Sequence, residues 1–316
     1  MNTTLADSAP DSPRSDAAPA EKRPGEILRT LVRRELWEHR ALWLAPLVVA
    51  ALLALVAAIG RVHIDMDEAP DLSSESQRVA LFSIIQWVLA MPLYLVALFV
   101  GSYYLLDCLY AERKDRSILF WKSLPVSDGL TVCSKLLVAL VVVPFGVLAL
   151  ALLAHLAYTA ILAARVALGS LPPVLTWNSY EWLRTEAVML LVTLFAVLWW
   201  APIAGYLLLV SAWVRRAPIL WATLPFALGP VLEWVAFGTR YLLGFIEYRV
   251  NGIWEILGVG HLNIISKHGP HHPVGTALGV LDFRGALTSI DLWLGLAVTA
   301  ALVYGAIRIR RYRDDT

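Results

Sequence analysis

Two long stretches of the sequence contain no Asp, Glu, Lys or Arg, and they constrain the fold more than any other feature. They run from Val79 to Leu106 and from Leu136 to Ala164. Because an α-helix rises about 1.5 Å per residue, each stretch is long enough to cross about 30 Å of hydrocarbon. The whole chain is 59% hydrophobic and only 16% charged, which excludes an ordinary soluble domain. The sequence therefore predicts an all-α membrane protein.

Stretches of this kind predict six transmembrane helices within residues 41–307. The predicted spans cover residues 41–63, 79–107, 136–165, 186–214, 217–246 and 289–307. The fifth span is interrupted by Glu233 and Arg240, and the sixth is short unless Arg308 extends to the membrane surface. We expect kinks where prolines lie inside spans, at Pro46, Pro92, Pro144, Pro202, Pro225 and Pro230.

The residues before the first span divide into two segments. Residues 1–24 are rich in Ala, Asp, Ser and Pro, which predicts a disordered tail. Residues 25–40 carry apolar side chains at helical spacing and basic side chains between them, which predicts an amphipathic helix in the membrane interface. Its predicted contacts with membrane lipids are Arg29, Arg33, Arg34 and Trp37. The alternative is an ordinary lead-in to the first span.

The distribution of basic residues predicts the orientation of the chain. With six spans and the N-terminus inside, most of the 26 Lys and Arg residues fall on one side of the membrane. By the positive-inside rule that side is cytoplasmic, and it includes both termini, the tail at residues 308–316 and the loop at residues 108–135. The connection after the first span is acidic and is predicted to face outside.

The 108–135 loop contains a dense charged segment with an apolar centre, from Glu112 to Asp128. Ser117 can cap a short helix, predicted over residues 117–122. Ile118, Leu119 and Trp121 would form an apolar knob. Positive charges would ring it, at Arg113, Lys114, Arg116 and Lys122. Such a knob is typical of a docking element, and the alternative is a basic loop that only satisfies topology. Ser127 or Asp128 can cap the third span, so movement of the knob would be passed into spans two and three.

Residues 247–288, between the fifth and sixth spans, are too apolar for a plain loop. They predict short helices that lie outside the membrane or re-enter it. The segment holds His261, His268, His271 and His272, but their spacing does not aim the imidazoles at one ion. We therefore predict no metal site. The two cysteines, Cys108 and Cys133, are predicted to be unpaired thiols.

Charged groups at membrane depth are candidates for function because burying them is costly. Glu233 and Arg240 are two helical turns apart, on one face of the predicted fifth span, and are candidates to line a transport pathway. For Glu233 the alternatives are a pairing with another helix or a place nearer the interface. His155 in the third span is either a hydrogen-bonded packing residue or a proton relay.

Together these features resemble the permease subunit of a bacterial ABC transporter of the ABC-2 type. The resemblance covers nearly the whole chain in architecture, and the loop from Tyr110 to Ser127 is its most specific part. That loop begins with Glu112-Arg113 and ends with Leu124-Pro125-Val126-Ser127, similar to the family's pattern. In such permeases this position carries the coupling helix, which docks on the ATPase subunit. The resemblance implies a coupling role for Glu112, Arg113, Arg116, Ser117, Ile118, Leu119, Trp121 and Lys122.

The resemblance also implies the partners and the location. The sequence contains no Gly-x-x-x-x-Gly-Lys-Ser/Thr motif, so we expect no enzymatic activity, no catalytic residues and no cofactor in this chain. ATP and Mg²⁺ would be bound by a separate ABC ATPase. A second copy of the chain, or a homologous permease, would complete the pathway in the bacterial inner membrane. Nucleic acid is not an expected partner, and export rather than import follows from the family alone.

Two other classes of protein are alternatives to this hypothesis. An ion-coupled secondary transporter would use Glu233, Arg240 and His155 as its intramembrane polar groups, without any ATPase. Its usual signature, an inverted repeat with interrupted helices in both halves, is not evident in the sequence. An intramembrane hydrolase would need a nucleophile and base, or metal ligands, at helical spacing, and no such set is visible.

Overall fold

The computed structural model of the chain describes residues 24–60, 75–123, 126–169, 179–257 and 281–312. Within these residues the chain is helical and contains no strand. The α-helices are α1 (Pro24–Glu38), α2 (Ala41–Ile59), α3 (Glu75–Lys114), α4 (Ile118–Ser123), α5 (Asp128–Leu137), α6 (Val143–Ala167), α7 (Ser179–Trp213), α8 (Pro218–Phe237), α9 (Tyr241–Ile256), α10 (Phe283–Thr288) and α11 (Ile290–Tyr312).

Six helical segments of the described chain are long and apolar enough to cross a membrane. They are Ala41–Ile59, Phe82–Lys114, Asp128–Ala167, Trp182–Trp213, Pro218–Phe237 and Ile290–Tyr312. Their number and order agree with the sequence, and the prediction of an all-α membrane protein is supported at this level. The predicted N-terminal tail lies outside the described residues, as do His261, His268, His271 and His272.

The second and third spans extend further than predicted on the side of the coupling loop. α3 continues to Lys114, past the predicted end at residue 107, and α5 already begins at Asp128. The predicted loop of 108–135 therefore shortens to the residues between Lys114 and Asp128. The sequence criterion ended each span at its first charged residues, whereas the structure pairs several of those charges and continues the helices through them.

A π-helical segment, Val138–Val142, interrupts the third span between α5 and α6. Pro144 follows directly, at the start of α6. Since proline has no N–H and its ring collides with the preceding turn, a widened turn before it is the expected accommodation. The kink predicted at this proline is therefore a change of helix type.

The predicted fifth span, 217–246, is two helices rather than one. α8 ends at Phe237, where Gly238 has a φ of 67°, and α9 begins at Tyr241. A left-handed glycine after the last helical residue is a common helix stop. α9 occupies the first part of the predicted external segment, and α10 lies near its end. Whether these helices lie outside the membrane or re-enter it stays a prediction.

Helices α3, α6, α7 and α11 form the centre of the bundle. Gly205 of α7 faces Thr299 and Leu302 of α11 across this contact. α9 packs on α7 and α11 through a second cluster that includes Trp199, Ile253 and Leu292. α8 buries little beyond Ala222, so most of its apolar surface is exposed, as expected of a helix that faces lipid.

Helix α1 is amphipathic, as predicted, but its inner face carries a charge. Leu31 and Glu35 are buried against the bundle, while Arg29, Arg33 and Trp37 are exposed. The Arg33 guanidinium lies 5.3 Å from the centre of the Trp37 ring. The predicted position of α1 in the lipid interface stays a prediction.

Candidate functional site

The short helix predicted over residues 117–122 is present as α4, between the second and third spans, and its coupling role stays a prediction. After that prediction we call residues 115–127, between α3 and α5, the coupling segment. The chain reverses before it at Arg116, whose φ of 57° lies in the left-handed region. The Ser117 hydroxyl donates to the backbone oxygen of Glu112 at 3.3 Å, so it contacts the end of α3. Ser127 accepts from the backbone N–H of Leu130 and caps α5, as one of the two predicted capping residues.

The predicted apolar knob differs in composition from the observed surface. Ile118 is 2% exposed and packs into the bundle, whereas Phe120 is 61% exposed. Two residues apart on a helix lie on nearly opposite faces, so these two side chains cannot share one. The side chains of Leu119 and Trp121 lie outside the described residues. The exposed surface of α4 therefore includes Phe120, which the sequence analysis missed, and Ile118 is a correction.

Two predicted rim residues lie at the surface beside Phe120. Arg116 and Lys122 are both exposed, so cations flank the aromatic ring on either side along the chain. This much of the predicted docking surface is present: an exposed apolar side chain with positive charge around it.

A group of paired charges, which we name the root cluster, lies where the chain enters and leaves the segment that contains α4: Glu35, Glu112, Asp128, Lys135 and Arg310, of which all but the half-buried Asp128 are buried. The Lys135 ammonium lies 2.8 Å from Glu35 Oε1 and 3.1 Å from Glu112 Oε1. The Arg310 guanidinium contacts the other oxygen of Glu112 and lies 3.1 Å from Asp128 Oδ1. The cluster joins α1, α3, α5 and α11 at the base of the coupling segment.

The innermost four charges of the root cluster balance. Glu35, Glu112, Lys135 and Arg310 are all buried, and they comprise two carboxylates and two cations. The Tyr104 hydroxyl donates to Glu35 Oε2 at 2.9 Å, which satisfies the second oxygen of that carboxylate. Removing one partner from a buried ion pair leaves an uncompensated charge and typically costs about 3–5 kcal/mol. The root cluster therefore fixes the relative positions of the four helices that supply it.

Glu112 was predicted to contact an ATPase, and the structure instead places it inside the root cluster. It is buried, and both of its carboxylate oxygens face cations of the same chain. Arg310 was predicted to lie in a C-terminal tail starting at residue 308. In the structure α11 continues to Tyr312, and the buried ion pairs of Arg310 explain why the helix does not end earlier.

Arg113, a second predicted docking residue, also has a structural role. Its Nη2 donates to the backbone oxygens of Ser211 and Val214, at 2.6 and 2.7 Å. These carbonyls lie at the end of α7, where a helix leaves its last acceptors without helical donors. The Ser211 hydroxyl in turn accepts from the N–H groups of Leu109 and Tyr110. The coupling segment is thereby bound to α7 as well.

The predicted pathway residues lie at the turn between α8 and α9. Glu233 accepts from the Thr239 hydroxyl at 2.6 Å and from the backbone N–H groups of Tyr241 and Leu242 at 2.8 and 2.7 Å. A carboxylate on the first N–H groups of a helix is a stabilising cap. Arg240 is exposed and immediately precedes α9. Glu233 thus has a local structural role, and lining of a pathway by either residue stays a prediction.

A second polar group lies inside the membrane-spanning region, where α3, α6 and α7 meet. His155 Nδ1 lies 2.6 Å from Glu186 Oε1, and its Nε2 lies 3.0 Å from the backbone oxygen of Gln86. Sequence reasoning missed Glu186 because the residue stands at the first position of the predicted fourth span, 186–214. A carboxylate so close to a charge-free stretch was the available signal. His155 does not meet Glu233, with which the secondary-transporter hypothesis grouped it: each has its own contacts in a different part of the fold.

One group of described residues has side chains close enough to hold a metal ion: Glu35, Glu38 and His39. Both oxygens of Glu35 are already engaged, by Lys135 and by Tyr104. Burial lowers the pKa of His39, against the opposing effect of the Glu35 carboxylate. Because both Glu35 oxygens are already engaged, this group is better explained as ion pairing and packing than as a metal site.

Comparisons with known proteins give no further identification. No protein-family model, no curated protein and no solved structure matches the chain.

Proposed function

We propose that this chain is the membrane permease subunit of an ATP-driven exporter of the ABC-2 type, located in the inner membrane of a bacterium. The observation that carries the proposal is the coupling segment. It consists of a short helix with an exposed aromatic side chain and exposed cations, and its base is joined through buried polar contacts to α1, α5, α7 and α11.

The proposed docking surface is the exposed face of α4, with Phe120 at its centre and Arg116 and Lys122 beside it. An aromatic anchor with a charged rim fits an apolar groove bordered by acidic residues, because the anchor supplies affinity and the charges supply orientation. The partner would be a separate ABC ATPase that binds ATP and Mg²⁺. Both termini of the permease would lie on the same cytoplasmic side as α4.

The root cluster gives this docking surface a mechanical consequence. A push on α4 reaches α3 and α5 through the chain, and it reaches α1, α7 and α11 through buried ion pairs and the Arg113 contacts. Closure of two ATPase subunits would then move each permease as a unit between inward-facing and outward-facing states. Six spans would form half of the pathway, and a second copy or a homologous permease would form the other half.

The decisive test is assembly with the separate P-loop ATPase that the proposal requires. We expect Phe120→Ala combined with Arg116→Glu to reduce co-purification of the ATPase at least tenfold, because the variant removes the anchor and inverts one rim charge. Arg311→Glu is the matched control, since Arg311 is an exposed cation near the end of α11 on the same predicted side.

Membrane insertion and thermal stability of both variants should match those of the original chain, since the substituted side chains are exposed. Undiminished assembly of the double variant would contradict the docking assignment. Transport by the purified chain without any nucleotide-hydrolysing partner would contradict the exporter proposal as a whole.

A further inference from the structure

The contacts of His155 determine how many protons the His155–Glu186 pair carries. The backbone oxygen of Gln86 can only accept, so His155 Nε2, which lies 3.0 Å away, must carry a hydrogen. A contact of 2.6 Å between Nδ1 and Glu186 Oε1 needs a second hydrogen between those two atoms. A neutral imidazole supplies one N–H and an ionised carboxylate supplies none. The pair therefore holds one proton more than a neutral histidine and an ionised glutamate would.

The surroundings favour retention of that extra proton. With it the pair is neutral overall, either as imidazolium with carboxylate or as imidazole with carboxylic acid. Without it the pair carries one negative charge within the membrane-spanning region, where an unpaired charge is costly. Both side chains are buried, and Glu186 Oε2 has no hydrogen-bond partner among the described residues. An ionised carboxylate with one bare oxygen would be poorly stabilised there.

The neighbouring helices supply polar groups to the pair. Gln86 of α3 donates its amide to Glu186 Oε1 at 3.3 Å. The titratable groups that face the pair are Tyr94 of α3 and Tyr158 of α6, both neutral at pH 7. Arg184 lies two positions before Glu186, which places it about 200° away around α7. Gln86 and these two tyrosines thus supply dipoles, and the shared proton supplies a positive charge to Glu186.

A small cavity borders the His155 side of the pair, with space for water. It has a volume of about 60 Å³, and its lining includes His155, Gln86, Tyr158 and Thr159. Because a water molecule occupies about 30 Å³ in the liquid, this space holds one or two. The buried side-chain oxygen of Gln86 has no partner among the described residues and can accept from such a water. Water at this position provides a way for the proton to exchange.

We propose that His155 and Glu186 form an intramembrane binding site for one proton, at the junction of α3, α6 and α7. The site is independent of the exporter proposal, because it needs neither an ATPase nor a coupling helix. Binding converts a net charge of minus one to zero, with the proton shared between His155 Nδ1 and Glu186 Oε1.

The direct test is ¹⁵N NMR of histidine-labelled protein in lipid nanodiscs at pH 7.5. The His155 resonances are identified by their loss in His155→Gln or by their shift in Glu186→Gln. An imidazolium with both nitrogens protonated supports the proposal. A neutral ring protonated at Nε2 also supports it when the infrared spectrum contains a protonated carboxyl band that Glu186→Gln removes. A neutral ring without that band, or a ring protonated only at Nδ1, overturns the proposal.

Discussion

At the scale of single residues, Lys135 is the cation on which the root cluster most depends. It faces two buried carboxylates, Glu35 and Glu112, and it is itself buried. We expect Lys135→Met to lower the free energy of unfolding by about 3–5 kcal/mol, because both carboxylates lose their shared partner. A shift in thermal midpoint, measured on detergent-solubilised protein, checks this expectation.

Two further variants test whether the loss of stability in Lys135→Met comes from the uncompensated carboxylates. Arg311→Met removes a cation that is exposed near the end of α11, and it should leave the midpoint nearly unchanged. Adding Glu35→Gln to Lys135→Met removes one uncompensated charge and should recover part of the loss. A midpoint for Lys135→Met equal to that of the original chain would show that the root cluster does not stabilise the fold.

The residue scale is also where the sequence was least informative. Glu112 and Arg310 were visible as charged residues, but 198 positions separate them, and no local pattern predicts that they meet. Arg113 was interpreted by its charge alone, because the carbonyls that it binds at the end of α7 have no signature in the sequence. Exposed Phe120 and buried Ile118 could have been separated by helical geometry, since their spacing places them on different faces.

At the scale of elements, the turn between α8 and α9 depends on one carboxylate. Glu233 accepts from the N–H groups of Tyr241 and Leu242, which begin α9 and have no helical acceptors. We expect Glu233→Ala to speed hydrogen exchange in the first turn of α9, measured by mass spectrometry on peptides covering residues 239–246. Glu233→Gln should have a smaller effect, because an amide oxygen still accepts.

Glu247→Ala is the control for this experiment, since Glu247 is an exposed carboxylate further along α9. It should leave exchange in the first turn unchanged. Equal exchange in Glu233→Ala and the original chain would mean that the turn is held by the left-handed Gly238 and by packing, without the carboxylate.

The sequence predicted the helices well where hydropathy determines their position. It predicted them poorly where single side chains determine where a helix ends. Length without charge located six spans, because a helix in lipid must be apolar along most of its length. The end of α8 depends on Gly238 and on a cap from Glu233, within a sequence that remains apolar on both sides. Glycine after a helical pattern is a stop signal, and here it outweighed the hydropathy that continues to Phe245.

At the scale of the whole molecule, the described contacts make the coupling segment part of the bundle. The sequence predicted that movement of α4 would pass into the second and third spans. The root cluster and Arg113 extend this connection to α1, α7 and α11. The second span belongs to both polar groups, since α3 carries Glu112 and Gln86.

A cytoplasmic ATPase can reach α4 only if α4 faces the cytoplasm. The side of the membrane that α4 faces can be measured directly. Cys133 is exposed and is replaced by serine, while buried Cys108 is retained. In this background we compare Arg116→Cys, beside α4, with Asp65→Cys, in the acidic connection after the first span.

The basic side is predicted to be cytoplasmic. In intact spheroplasts a membrane-impermeant maleimide should therefore label position 65 and not position 116. After lysis both positions should react. Labelling of position 116 in intact spheroplasts would place the coupling segment outside, where no ATP-driven partner could reach it.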